Sequence, residues 1–173
     1  MTRERTKQIV NYLLFQAGWF ACVLGGDQIA LITTLVILFI HLRWIGQWRM
    51  ERELLAISLI LGSAIDSFLG NLEILIFPGD GRLLPVWLAC LWLLFGTTLR
   101  HSFDWAREHR LASALLGMIG GPASYYAGTK LTNVSLMEPT WLTLLILAVI
   151  WAAVIPVLQA FSAAWLKRHE IGR

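Results

Sequence analysis

Charged side chains are scarce in this 173-residue chain, because aspartate, glutamate, lysine and arginine together make up only 14% of it. Soluble domains carry about 25% charged and about 45–50% apolar residues, whereas 57% of this chain is hydrophobic and its mean hydropathy is +0.65. The basic residues are spread among several loops and form no single stripe, so the net charge of +3 does not indicate nucleic-acid binding. The composition predicts an all-α membrane protein with one domain over residues 1–173.

Motifs of metal, phosphate and acyl-transfer chemistry are also missing. The sequence contains no HExxH metal motif, no haem attachment motif, no phosphate-binding loop and no Gly-x-Ser-x-Gly nucleophile motif. All four histidines fall at predicted cytoplasmic ends or loops, where His41 and His101 could approach each other; the others are His109 and His169. We therefore predict no metal site, no cofactor and no nucleic-acid partner, and we assign no catalytic residue.

Cysteine is nearly absent, with two in the chain. Cys22 and Cys90 both lie toward the outer ends of predicted helices. Two isolated cysteines do not define a disulfide framework. Two alternatives therefore stay open, which are a disulfide on the oxidising side of the membrane and a pair of free buried thiols.

Six apolar segments are long enough to be membrane helices. They cover residues 9–25, 28–45, 54–77, 83–99, 111–131 and 139–165. Glycine, proline or charge separates them, as in Gly25-Gly26-Asp27 after the first segment. The first segment has the basic start of a signal peptide, but Asn11 and Gln16 interrupt it and further spans follow. We expect a retained helix there.

Lysine and arginine are concentrated in alternate loops. Twelve occur at the N-terminus, in the second and fourth loops and in the C-terminal tail, namely Arg3, Arg5, Lys7, Arg43, Arg49, Arg52, Arg100, Arg107, Arg110, Lys167, Arg168 and Arg173. The other loops contain two, Arg82 and Lys130. Because short cytoplasmic loops are rich in basic residues, we predict a bundle of six transmembrane helices with short loops and with both termini cytoplasmic. A re-entrant hairpin of the first two segments would give the same charge distribution and stays open.

An acidic residue, Asp66, lies near the middle of the segment 54–77. An ionised carboxylate at the bilayer centre costs at least about 3 kcal/mol, so such residues usually face the protein interior. Glu73 follows two helical turns later, and Ser67 and Gly70 belong to the same polar half of the helix. We predict that these four residues bind a substrate, with Asp66 as a proton or cation acceptor and Glu73 at the outer mouth. The alternative is that Asp66 bonds to a neighbouring helix and stabilises the bundle.

Small residues recur along the fifth segment at spacings of three and four. They are Ala114, Gly117, Gly121, Ser124 and Gly128. Such a seam lets another helix approach closely, so we predict helix-packing roles for Gly117, Gly121 and Gly128. We expect the seam to pack on the Asp66 helix and to place Gly62 and Gly70 against it.

The same segment contains a predicted break at Gly120-Gly121-Pro122. Proline removes a backbone donor and kinks a helix, and breaks at the midplane often line substrate sites. We therefore add Gly121, Pro122, Ser124 and Tyr125 to the predicted substrate pocket. A kinked, closely packed helix without a ligand is the alternative.

Aromatic and amide side chains also occur deep in the apolar segments. Trp19, Trp92 and Trp151 lie away from the predicted membrane boundaries, and we predict packing or pocket roles for them. Asn11 and Gln16 interrupt the first segment, and we expect them to form hydrogen bonds across helices.

Four stretches carry a resemblance to a known family. They are NYLLFQAGW at 11–19, PVW at 85–87, FGTTL at 95–99 with Ser102, and GPASYYAG at 121–128. The chain resembles an uncharacterised family of small inner-membrane proteins of Gram-negative bacteria, one of the families of unknown function. The resemblance implies a multi-pass inner-membrane location, and it assigns no role to any residue.

Three functions remain open from the sequence. The favoured one is binding, or help in transport, of a lipid or small molecule in a midplane pocket between the third and fifth segments. The alternatives are a non-catalytic subunit or scaffold of a membrane complex and a membrane-embedded enzyme that modifies lipids. The expected partners are membrane lipids and other membrane-protein subunits.

Overall fold

The chain folds almost entirely into helices. The computed structural model describes residues 3–79 and 81–171, the side chains of the last three excepted. Helix α1 covers Arg3–Trp44, α2 Trp48–Asn71, α3 Val86–Gly96, α4 Arg110–Leu131 and α5 Thr140–Ile171, with a short 3-10 helix at Asp104–Arg107. Two short strands, β1 (Leu75–Ile76) and β2 (Ser135–Leu136), complete the described elements.

Helix α1 is a hairpin of two antiparallel halves. Gly26 has φ 66° and ψ −173°, a conformation that glycine adopts at no steric cost. The side chains of Asn11 and His41 lie 3.3 Å apart, although 30 residues of straight helix would separate them by roughly 45 Å. The predicted break at Gly25-Gly26-Asp27 is therefore confirmed. We refer to residues 3–25 as α1a and to residues 27–44 as α1b.

Helix α2 begins and ends about six residues earlier than the predicted segment 54–77. Its C-terminus is a Schellman motif, in which the Glu73 N–H bonds to the Gly70 carbonyl and the Ile74 N–H to the Leu69 carbonyl. Glu73 has φ 56°, the left-handed conformation that this motif requires. The chain then enters β1, which pairs with β2 in antiparallel register, Leu75 opposite Leu136. Glu73 is thus a helix-terminating residue.

The ends of the bundle gather different loops. At one end, Asn11 of α1a donates to the Thr97 carbonyl (3.2 Å), and Arg100 donates to the Ser162 hydroxyl of α5 (2.8 Å). At the other end, the small sheet joins the loop after α2 to the loop before α5. We call these the basic end and the sheet end. The arginines of the second and fourth loops belong to the basic end.

Three of the described helices are long and apolar enough to cross a membrane. They are α1, α2 and the part of α5 at Thr140–Arg168. Helix α3 is apolar but shorter. Large apolar side chains such as Leu35, Ile60 and Val149 are at least 64% exposed on these helices, which fits a lipid-facing surface.

The predicted packing of the small residues on the Asp66 helix is wrong. A Cβ at Gly117 or Gly121 would overlap Trp151, so the seam of α4 packs against α5. A Cβ at Gly62 would overlap the indole of Trp92 on α3. The spacing of small residues shows that a helix has a close-packing face. It does not show which helix packs there, because that depends on which helix carries the tryptophan opposite the small residues.

Two further glycines of the predicted set do not pack closely against another helix. A Cβ at Gly70 would contact the Phe77 ring, which folds back from the loop after α2. A Cβ at Gly128 would meet no atom within 4 Å, so no helix packs closely on that residue.

Candidate functional site

Asp66 lies where α2, α3 and α4 meet, and its side chain is fully buried. Its Oδ2 accepts a hydrogen bond from Trp92 Nε1 at 2.6 Å, and its Oδ1 accepts one from the Tyr125 hydroxyl at 2.5 Å. The predicted interior orientation of Asp66 is confirmed. Because both oxygens bond to neighbouring helices, the carboxylate fixes the positions of Trp92 and Tyr125.

Trp92 and Trp151 form a stacked pair in the centre of the molecule. Their ring centroids lie 4.8 Å apart and their planes differ by 11°. Gly62 faces one indole and Gly121 faces the other, so the pair fills the space between α2 and α4. Offset-stacked aromatic pairs contribute about 0.5–1.5 kcal/mol beyond the area that they bury. The stack therefore gives this region a rigid aromatic wall.

A groove of about 350 Å³ lies between α1a and α4, next to this wall. Its lining is mostly aromatic and apolar and comprises Tyr12, Phe15, Gln16, Trp19, Phe20, Phe95, Phe103, Leu116, Gly120, Gly121, Ser124, Trp151 and Ile155. Tyr12 and Phe20 are 44% and 52% exposed, so the groove opens on the lateral surface of the helices. Its volume falls in the range of ligand sites, about 300–1,000 Å³.

A smaller cavity of about 80 Å³ adjoins the groove on the side of the sheet end. Trp92 and Tyr125, the two partners of Asp66, line it together with Gly128 and Trp87. The groove and the cavity share five lining residues, Phe15, Trp19, Phe95, Ser124 and Trp151. Asp66 stands behind this lining as a support of Trp92 and Tyr125.

One hydrogen bond joins the two walls of the groove. Trp19 Nε1 on α1a donates to Ser124 Oγ on α4 at 2.9 Å. Both side chains line the groove and the smaller cavity. Ser124 is thus the residue of the predicted pocket that makes a polar contact across the groove, whereas the predicted cross-helix role of Gln16 is not seen, since Gln16 bonds to Tyr12 on its own helix.

The structure divides the predicted substrate residues among three places. Gly121, Ser124 and Tyr125 line the groove or the smaller cavity, and Pro122 is buried in α4 beside them. Asp66 lies behind the cavity wall. The others, Ser67, Gly70 and Glu73, line a separate pocket of the loop that contains Arg82.

The loop pocket is held by ordinary loop contacts. Ser67 Oγ accepts from the Leu84 N–H at 3.1 Å, and Asn71 Nδ2 donates to the carbonyls of Ser67 and Arg82 at 2.6 and 2.7 Å. These bonds fix the loop against the end of α2. Ser67, Gly70 and Glu73 therefore lie in a pocket separate from the groove between α1a and α4.

A second buried carboxylate, Glu51, lies at the basic end. Its Oε2 is 2.5 Å from His41 Nε2 and its Oε1 is 2.9 Å from His101 Nε2. The two imidazole rings are 5.0 Å apart, so the predicted approach of His41 and His101 is confirmed. Sequence reasoning missed Glu51, because it precedes the predicted start of the third segment at residue 54.

The hydrogen bonds of Asn11 determine which ring nitrogen of His41 carries the proton. The Ser102 N–H and hydroxyl both donate to Asn11 Oδ1, and Asn11 Nδ2 donates to the Thr97 carbonyl. The amide orientation is thereby fixed, with its NH₂ group 3.3 Å from His41 Nδ1. Nδ1 must accept a hydrogen bond, so Nε2 carries the proton and donates a hydrogen bond to Glu51. The predicted role of Asn11 in joining helices is confirmed.

Arg100 ties the same end of the bundle to α5. Its guanidinium donates to the Ser162 hydroxyl and to the Met50 carbonyl. Burial lowers the pKa of the Arg100 guanidinium, and the nearby carboxylates of Glu51 and Glu53 act against this shift. Arg100 thus bonds α2 to α5 beside the Glu51 cluster.

The two cysteines are free thiols in the structure. Cys22 of α1a and Cys90 of α3 are both buried and belong to one apolar cluster with Ala30, Ile37 and Leu94. Of the two alternatives left by the sequence, the structure has the free buried pair.

These features define a helical protein with long apolar helices, an aromatic lateral groove and two buried carboxylates. The chain belongs to a family of unknown function, because residues 8–157 match the family described as "Protein of unknown function (DUF2878)". The expected membership of an uncharacterised family is confirmed. No curated protein and no solved structure matches the sequence.

Proposed function

We propose that this protein is a multi-pass protein of the bacterial inner membrane that binds the apolar chain of a membrane lipid in the groove between α1a and α4. The observation that carries the proposal is the groove itself, which is lined by aromatic rings and opens sideways beside the exposed side chains of Tyr12 and Phe20. A lateral opening on an apolar surface faces lipid when the helices stand in a bilayer. A lipid chain is therefore the occupant that can enter without crossing water.

The proposed topology has six crossings, formed by α1a, α1b and α2 to α5, with both termini cytoplasmic. The turn at Gly26 supports two crossings within α1, and the loops lie alternately at the basic end and the sheet end. The arginines of the basic end support a cytoplasmic location for that end. Helix α3 is short, and the turns that follow it up to residue 103 continue its path to the basic end.

The polar contacts of the site hold in place the side chains that would bind an apolar ligand. Asp66 holds Trp92 and Tyr125 in place at the smaller cavity, and the Trp19–Ser124 bond spans the two walls. Ligand pockets typically combine an apolar lining with a few placed polar groups. Since the smaller cavity continues the groove toward the sheet end, the arrangement favours movement of a lipid along α4, as help in transport requires.

Gly120 offers a direct test of this proposal. It lines the groove, and a Cβ added there would meet no atom within 4 Å. A side chain can therefore start at this position without a clash, and Gly120→Phe should place its ring in the groove. The matched control is Ile119→Phe, because Ile119 is the adjacent residue of α4 and is 69% exposed.

Native mass spectrometry would compare wild type and both variants after reconstitution in phosphatidylethanolamine and phosphatidylglycerol and mild detergent extraction. We expect wild type and Ile119→Phe to retain one lipid per chain and Gly120→Phe to lose it. Equal retention by all three proteins would exclude the groove as the site. A wild-type protein that retains no lipid would overturn the proposed function.

A further inference from the structure

We propose that His41, Glu51 and His101 form a site for one divalent transition-metal ion at the basic end. Single ligand atoms of the three side chains lie within 4.8 Å of one another. They come from α1b, from the first turn of α2 and from the turns after α3. Two imidazole nitrogens and one carboxylate are ligands that Zn²⁺ and related first-row ions accept.

The three side chains need only small shifts to hold an ion. Zn²⁺ binds nitrogen and oxygen at about 2.0–2.2 Å, which places two ligand atoms of a tetrahedron roughly 3.3 Å apart. The present gaps from Glu51 to His41 and His101 are 2.5 and 2.9 Å. The close carboxylate–imidazole pairs must therefore open by less than about 1 Å, and a pair at the outer limit of 4.8 Å must close by about 1.5 Å. Three protein ligands leave a fourth position for water.

Burial favours a cation at this place. The side chains of His41 and Glu51 are 0% and 6% exposed, and that of His101 is 18% exposed. A buried carboxylate needs a compensating charge or hydrogen bonds. His101 forms the exposed edge through which an ion would enter.

Without a metal ion, the three side chains form a hydrogen-bonded network. Metal binding must rearrange two of its hydrogen bonds. An ion at His41 Nε2 displaces the proton that is now hydrogen-bonded to Glu51, and Nδ1 takes up a proton in its place. The amide of Asn11 must then turn its oxygen toward Nδ1, as outer partners of metal-bound histidines do. Asn11 therefore opposes metal binding in its present orientation. The affinity of the protein for the ion shows whether metal binding compensates for the rotation of this amide.

The test is a Zn²⁺ titration of the full chain, purified without a polyhistidine tag, by isothermal calorimetry, with Co²⁺ absorption as the spectroscopic readout. Wild type should bind one Zn²⁺ with micromolar or tighter affinity. His101→Gln keeps a donor for Glu51 but loses the imidazole, and Glu51→Gln keeps an acceptor for His41 but loses the charge. We expect each to bind more than about 100-fold more weakly, since loss of even an outer partner costs about 10–100-fold.

His109→Gln is the control, because His109 is an exposed histidine of the same loop region. It should bind Zn²⁺ as wild type does. The proposal is overturned if wild type binds no Zn²⁺, or if His101→Gln binds as tightly as wild type. Should the two variants fail to fold, X-ray absorption of the zinc-loaded wild type decides, since a spectrum without imidazole scattering would equally exclude the site. The outcome is independent of the lipid proposal.

Discussion

Replacement of Asp66 tests whether this carboxylate acts as a scaffold for two aromatic side chains. In Asp66→Leu, the Trp92 N–H and the Tyr125 hydroxyl lose their acceptor in a buried region. Each unsatisfied buried group costs about 1–3 kcal/mol, so the free energy of unfolding should fall by about 2–6 kcal/mol.

Asp66→Asn should be milder by a clear margin. The amide oxygen of the new side chain can accept from Trp92, and its NH₂ group can donate to the hydroxyl oxygen of Tyr125, which then acts as an acceptor. Only the charge-assisted part of the two bonds is lost, and we expect a cost of about 1–2 kcal/mol. The order Leu worse than Asn distinguishes hydrogen bonding from loss of charge.

The assay is reversible unfolding in mixed detergent micelles, combined with a double-mutant cycle. Tyr125→Phe removes one of the two donors, so Asp66→Leu should cost about 1–3 kcal/mol less in the Tyr125→Phe background than in wild type. Native mass spectrometry should show that Asp66→Asn still retains lipid. Additive effects of Asp66→Leu and Tyr125→Phe, or Asn as damaging as Leu, would refute the scaffold argument.

Two neighbouring glycines and one indole give further predictions. Gly121→Ala should destabilise the protein by about 1–3 kcal/mol, because its methyl group meets Trp151, and Gly120→Ala, which meets no atom within 4 Å, should stabilise it by about 0.5–1 kcal/mol through helix propensity. Thermal unfolding of the two variants checks this. A Gly121→Ala protein more stable than Gly120→Ala would contradict the close packing of Gly121 against Trp151. Trp19→Phe removes the hydrogen bond to Ser124 and should lower the free energy of unfolding by about 0.6 kcal/mol, the average for such bonds in membranes. If Trp19→Phe costs as much in the Ser124→Ala background as in wild type, the bond contributes nothing to stability.

The sequence predicted features that depend on one residue and its own helix. The turn at Gly26, the interior orientation of Asp66 and the close-packing face at Gly117 and Gly121 follow from charge, size and helical spacing. The identity of each facing helix could not be predicted in this way. Trp92 and Trp151 decide it, because each indole needs a glycine opposite, and several helices carry one.

Glu51 shows how an element boundary can hide a site residue. The apolar pattern starts the third segment at Leu54, which leaves Glu51 in the loop, whereas α2 begins at Trp48. The six extra residues, nearly two turns, include Glu51, which lies on the same buried face as Leu55, Ser58 and Asp66. Helices often extend beyond their apolar stretch into charged flanks. The burial of Glu51 therefore follows from helical spacing only when the helix is taken to start at Trp48.

The two buried carboxylates of α2 have similar geometry but different chemistry. Asp66 accepts from an indole and a phenol, neither of which is among the usual ligands of Zn²⁺, whereas Glu51 accepts from two imidazoles, which are. The first is therefore a fixed support, and the second can respond to its surroundings. Zinc at 100 times its dissociation constant should stabilise the protein by about 2.7 kcal/mol. Wild type and Asp66→Asn should gain this equally in thermal unfolding, while Glu51→Gln should gain little, and a loss of the zinc effect in Asp66→Asn would show that the two carboxylates are coupled through α2.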